Sequence, residues 1–333
     1  MHPVERAVRR IDRFQQAHQP LAFVFAVAKK FGDDRAGTLA ALLAYYGFLA
    51  LLPLLLLLTT VLGFAMGSNA DFEESVLNSA LRDFPVVGEQ LRQAIHPLEG
   101  NGLALAIGLL GLVWGSLGVT QAGQLAMAEV WNVPGVDRPP FVGRMLRGVG
   151  LLGVLGLGVM VTTVTTSLSV FGGGGRLAGT AGTVLSVGLN IGQFVLAFRV
   201  LTVRSVRMRD LVPGAVFAGL AWSALQVVGA YLVTNQLRHA GQVYGFFAGV
   251  IGLLFWLSVA AQVTLYAAEA NVVWARRLWP RSLVQPPLTE ADKQAFDDIA
   301  LQGERRPEQT VESAWADEAT VAPPSGSCRG GGQ

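Results

Sequence analysis

The side chains that could do chemistry in this chain are few and unusually placed. Glu129, Arg199 and Glu269 are the ionisable groups inside long apolar segments, joined there by the amides Gln121, Gln124, Asn190, Gln193, Gln226 and Gln262. The four histidines, His2, His18, His96 and His239, show no His/Asp/Glu spacing suited to a hydrolytic metal. No nucleophile elbow or Walker motif occurs, and Gly172–Gly175 is not followed by the Gly-Lys-Ser/Thr of a phosphate loop. Cys328 is the single cysteine, so neither an intrachain disulfide nor a cysteine metal cluster can form. These residue types point away from an enzyme and imply no cofactor. Ionisable and amide groups at membrane depth either face a bundle interior or wet cavity, or hydrogen-bond one helix to another. Both readings stay open for each of them. Arg199 lies near the level of Glu129 and Glu269 and could pair with either.

The elements that must position these groups are transmembrane helices. Of 333 residues, 52% are hydrophobic and 14% charged, about half the charge of an ordinary soluble domain. A net charge of +2 argues for no nucleic-acid partner. Residues 36–70 contain no charged side chain, and about 20 apolar residues suffice to cross the ~30 Å hydrocarbon layer. Within that run lie the pair Tyr45 and Tyr46 and, near its middle, Pro53. Proline lacks the amide that would bond the Leu49 carbonyl, so a kink is expected there. Further spans are expected over about Gly102–Val130, Met145–Phe171, Thr180–Val203, Leu211–Thr234 and Tyr244–Trp274. Gly111 and Gly115 should allow close helix contact on the second span, and Pro213 should sit in the first turn of the fifth.

The positive-inside rule orients the set. Arginine and lysine number seven in residues 1–35, three in each of the second-to-third and fourth-to-fifth loops, and seven after the last span; the opposite loops carry four. The expectation is an all-α polytopic membrane protein with six transmembrane helices and both termini cytoplasmic. Residues 1–35 form a cytoplasmic segment in which Leu21, Phe23, Val24, Val27 and Phe31 lie on the membrane surface, Lys29 and Lys30 reaching headgroups; an elbow packed on the bundle is the alternative. The 36–281 domain includes short amphipathic helices within the acidic loop 67–101. Residues 282–333 form a largely disordered tail, apart from a short helix capped by Thr289 and running to about Ala300.

Four stretches in order, AALLAYYGFLALLPLLLLL (40–58), EVWNVPGVDRPPF (129–141), VRMRDLVPGA (206–215) and YGFFAGVIGLLFWLSVAAQVTLYAAEANVVWARR (244–277), resemble the YihY/BrkB family of bacterial inner-membrane proteins. One departure is local: Tyr266-Ala267-Ala268 precedes Glu269 where the family usually has a glycine before its Ala-Glu pair. The resemblance implies six spans in the cytoplasmic membrane and an association with envelope integrity or with moving lipids. It also carries an old ribonuclease BN label, to which this sequence, lacking a hydrolytic site and a basic groove with interleaved aromatics, lends nothing.

The leading functional expectation is transport or handling of lipids or other envelope components. Tyr45, Tyr46 and Pro53 would shape a path, and Glu129, Arg199 and Glu269 would bind or gate at its inner side. The rival is a non-transporting scaffold holding other membrane proteins, or itself, through small-residue helix faces. Membrane lipids are the expected surroundings in either case. A transport path should bring Gln121, Asn190, Gln193, Gln262 and Glu269 to one cavity.

Overall fold

The computed structural model of the chain describes residues 3–66, 102–171, 176–232 and 238–315. Among them the fold is helical, without a strand: α1 (Pro3–Ala17), α2 (Gln19–Asp33), α3 (Ala36–Met66), α4 (Gly102–Val130), α5 (Phe141–Phe171), α6 (Arg176–Leu201), α7 (Met208–Leu232), α8 (Arg238–Arg276) and α9 (Glu290–Leu301). The expected amphipathic helices of residues 67–101 lie outside the described residues. Helix α3 packs along α4, and α5, α6, α7 and α8 follow as successive neighbours, α8 closing back onto α3 and α2.

The apolar surface is turned outward. Leu146, Val184, Val227 and Ile251 are each about two-thirds exposed or more. Water would penalise such a surface, whereas lipid accepts it. Four described segments, Phe141–Gly158, Thr180–Leu201, Met208–Gly229 and Val250–Arg276, are long and apolar enough to cross a membrane. Helix α3 runs unbroken past Pro53.

Small residues bring the helices together. A Cβ on Gly115 would lie 2.9 Å from the Ala50 Cα, so only glycine lets α4 approach α3 this closely there. The α7–α8 contact is tighter still. Helix α7 begins at Met208, so Pro213 falls in its second turn, a turn later than the sequence suggests. The Gly214 amide donates to Asn271 Oδ1 at 2.6 Å, and a Cβ on Gly214 would sit 2.0 Å from the Ala267 carbonyl oxygen. A side chain from α8 thus serves the α7 backbone beside its proline.

The N-terminal helices form an elbow on the bundle. Ala22, Ala26 and Val27 are buried, Phe31 stacks on Tyr266 at 3.9 Å, and Phe23 meets Trp274 and Trp279 edge-on. Only Leu21 and Val24 of the expected surface stripe are exposed. Neither lysine reaches outward: Lys30 is 2% exposed, and Lys29 binds Asp292. The reason is that buried carboxylates wait for both.

Residues 281–283 are tied to this elbow and residues 302–304 to the end of α4, where a tail largely disordered outside one short helix was expected. Thr289 caps α9 in a reciprocal capping box with Asp292, as its sequence suggests. Asp292 is fully buried. Its Oδ1 accepts from Lys29 (2.8 Å) and Arg281 Nε (2.9 Å), and its Oδ2 from the Ser282 amide, the Ser282 hydroxyl and Thr289. Burial opposes ionisation, but the hydrogen bonds from Lys29, Ser282 and Thr289 prevail and hold this carboxyl below the ordinary range.

Candidate functional site: a polar helix end and a lateral cleft

The end of α4 organises the first polar region. Asn132 adopts φ 48°, a left-handed conformation that asparagine tolerates. It terminates the helix in a Schellman arrangement: the Asn132 amide donates to the Glu129 carbonyl at 2.9 Å and the Val133 amide to that of Ala128 at 2.8 Å. This is the physical meaning of the EVWNVPG stretch. Side chains from three other segments donate to the final carbonyls: Gln302 to Glu129 (2.9 Å), Lys30 to Val130 (2.9 Å) and Arg276 to Trp131 (2.7 Å). Two cations at a helix C-terminus also suit its dipole.

Lys30 is the centre of this region. Its ammonium also donates to Asn132 Oδ1 (3.1 Å), pairs with Asp34 at the end of α2, and lies 3.2 Å from Glu269 Oε2. Asn132 Nδ2 donates to Asp34 Oδ1 at 3.3 Å. Burial raises the Asp34 carboxyl above its ordinary value, against the lowering pull of Lys30 and Asn132.

The second region is a cleft of about 480 Å³ on the α3–α4–α5 side. Tyr46 of α3 lies over Gly118 of α4, where a Cβ would come within 2.4 Å of its ring. Trp114, Leu117 and Leu125 supply apolar wall, and Trp114 is 68% exposed, so the cleft reaches the lateral surface. At the other end it is lined by Arg138, Arg144 and Arg147. Arg138 is paired with Glu129 at 3.0 Å. Arg144 and Arg147 have no ion-pair partner among the described residues, and Arg147 feels the like charges of Arg199 and Arg204. From Ala128 to Trp114 the lining runs fourteen residues along α4, roughly 21 Å at 1.5 Å per residue.

The residues picked from sequence are distributed over several places. Gln121, Gln124 and Tyr46 line the cleft; Gln124 Nε2 also donates to the Arg144 carbonyl at 3.0 Å, tying α5 to α4. Tyr45 is 55% exposed and meets Tyr46 edge-on. Asn190 donates to the Ser223 hydroxyl across α6–α7 at 3.1 Å, and Gln193 fills the space above Gly158 between α5 and α6. Gln262 is exposed on the outside of α8. The partner of Glu129 is Arg138 and that of Glu269 is Lys30; Arg199 donates instead to the Val206 carbonyl at 3.3 Å. The Pro53 side chain lies outside what is described. Among the described residues no single cavity gathers Gln121, Asn190, Gln193, Gln262 and Glu269, so the path expected from those five side chains is not formed. Sequence reasoning missed Asp34, Asn132, Arg144 and Arg147, and misplaced Lys30. The available signal was a lysine and an aspartate four apart directly before an uncharged span.

Residues 27–290 match the family model described as virulence factor BrkB. The chain belongs to the BrkB family. The matched region contains both the Lys30 cluster and the whole cleft. Relatives include a UPF0761 membrane protein of Pseudomonas aeruginosa, 25% identical over 277 residues that cover 79% of this chain and 66% of the relative. A UPF0761 membrane protein of Xanthomonas campestris is 24% identical over 289 residues, 83% of this chain and 66% of the relative. The inner membrane protein YhjD of Escherichia coli is 22% identical over 280 residues, 76% of this chain and 81% of the relative. The chain thus spans just under two-thirds of the length of the UPF0761 relatives it matches. No solved structure matches. Together with its outward apolar helices, BrkB membership makes this an integral membrane protein.

Proposed function

We propose that this BrkB-family chain crosses a bacterial cytoplasmic membrane six times, with α1, α2 and α9 in the cytoplasm, and that it binds anionic lipids or lipid-like envelope components in the lateral cleft and hands them on. The action is binding and movement, without a covalent step. The observation that carries the reading is Arg144 and Arg147, two guanidinium groups without acid partners at one end of an apolar cleft. Guanidinium matches phosphate in geometry and charge. The cleft's reach of roughly 21 Å exceeds half of a ~30 Å hydrocarbon layer, enough for a headgroup and much of an acyl chain. The arginine-rich loops support the orientation, which sets the cleft's charged end at the inner headgroup level.

The test uses the whole protein reconstituted in vesicles holding traces of fluorescent phosphatidylglycerol or phosphatidylcholine. Wild type should bind or exchange the anionic tracer preferentially, and Arg144→Gln with Arg147→Gln should lower this about tenfold or more, each charge-assisted contact contributing about 1.5–3 kcal/mol. Equal handling of both tracers by wild type, or an unchanged double variant, defeats the proposal.

One observation favours a second reading, a scaffold or self-associating protein. Gln262 shares an exposed stripe of α8 with Ile251 and Phe255, and an amide turned to lipid is satisfied by a matching amide on another helix. Loss of a cross-linked dimer in membranes on Gln262→Leu would support it.

A further inference from the structure

The Lys30 cluster holds more acid than base. Glu269 is fully buried on α8, and Lys30 is its ion-pair partner, at 3.2 Å. The same ammonium pairs with Asp34. The neighbouring cations are taken elsewhere: Lys29 by Asp292, Arg281 by Asp33 and Asp292, Arg276 by Asp298. Among the described residues the other elements around the cluster add no ion pair to it, and Arg35, next to Asp34, is exposed. The start of α3 contributes Ala36 and Ala40, and the end of α4 the Asn132 amide and the Val130 carbonyl. Two carboxylates therefore face one ammonium in a site closed to water.

The hydrogen-bond inventory is short by one donor. Neither Glu269 oxygen receives a hydrogen bond, and the carboxyls of Asp34 and Glu269 both contact the one ammonium of Lys30. Two buried carboxylates sharing one cation leave a net negative charge that a single bound proton removes. One proton makes the cluster neutral and provides the missing donor together.

We infer that Asp34 and Glu269 form a proton-binding site that holds one proton at neutral pH, with Lys30 as its fixed counter-charge. The proton comes from water when α2, the start of α3, the end of α4 and α8 close together. It returns to water when they separate, leaving two carboxylates and one ammonium hydrated. Movement of α8 against the elbow is thereby tied to uptake or release of one proton.

Infrared spectroscopy of the intact purified protein at neutral pH tests this directly, because ordinary carboxyl groups are then ionised. Wild type should show a protonated-carboxyl carbonyl band. Glu269→Gln and Asp34→Asn should each abolish it, since either leaves one carboxylate against one ammonium. Absence of the band from folded wild type, or its survival in both variants, overturns the inference. Wild-type band presence alone decides if the variants do not fold. As a second readout, the wild-type melting temperature should fall as pH rises above neutral, the folded state binding a proton that the unfolded state lacks. The Glu269→Gln profile should lose that slope, and an unchanged slope counts against the site.

Discussion

Two regions beside the same helix, α4, handle excess charge in opposite ways. At the end of α4, Lys30, Asp34 and Glu269 are sealed among neighbours that satisfy most of their polar groups. Beside the body of α4, Arg144 and Arg147 of α5 stand at the edge of an apolar cleft without an acid among the described residues. A buried surplus must be neutralised within the fold, because charge away from water is costly. A surplus at an open cleft is left for a mobile counter-charge. The first arrangement fixes the packing of four segments; the second leaves room for something else to arrive.

That contrast can be broken most forcefully at Lys30. Lys30→Met removes the ammonium that pairs with both carboxylates of a closed site and leaves Val130 and Asn132 without their donor. It should cost about 3–5 kcal/mol, read as a large fall in melting temperature in detergent, whereas Arg144→Gln should leave melting nearly unchanged. Adding Asp34→Asn and Glu269→Gln should restore part of the Lys30→Met loss. Equal sensitivity of the two regions would erase the distinction.

Glycine provides the next contrast. Gly214→Ala drives a Cβ against the Ala267 backbone carbonyl, which cannot yield without parting α7 from α8, and about 3 kcal/mol of stability should go with it. Gly118→Ala meets the Tyr46 ring, which can swing; roughly 1 kcal/mol should be lost, while the cleft narrows and anionic-tracer exchange falls.

Asp292 and Asp34 should separate by the sign of their pH dependence. The Asp292 carboxyl is held low, so its stabilisation is present above the ordinary carboxylate range and is lost as pH falls below about 4. Asp292→Asn should flatten the acid limb of the melting curve, cost about 2 kcal/mol near neutrality, and expose residues 283–301 to protease. The Asp34 carboxyl is raised, so its proton-linked contribution is full below about 4 and declines as pH climbs through its folded value. Smallest of all, Gln262→Leu should alter melting by no more than about 0.5 kcal/mol, because its amide is exposed.

The helices themselves were legible in the sequence. Long uncharged runs mark α3 to α8, α4 has the expected bounds, and four described segments are long and apolar enough to cross a membrane. Thr289 was legible as a cap because its partner, Asp292, is three residues away. The partner of Glu269 was not. Lys30 is 239 positions distant, and no local rule reports which helix ends converge. The amides misled for a related reason: Asn190 and Gln193 sit on α6 within one turn of each other, yet one serves α7 and the other α5. The unpaired arginines of the cleft looked like topology signals, and their second role depends on Tyr46 and Trp114 standing beside them.

The final carbonyls of α4 are claimed by Lys30, Arg276 and Gln302, residues made at very different times. When α4 leaves the ribosome, only the lysine exists. Arg276 follows after four more long helices, and Gln302 only after α9. A chain that ends before α8 and α9 therefore carries an unfinished helix end, and the packing is completed by its late residues.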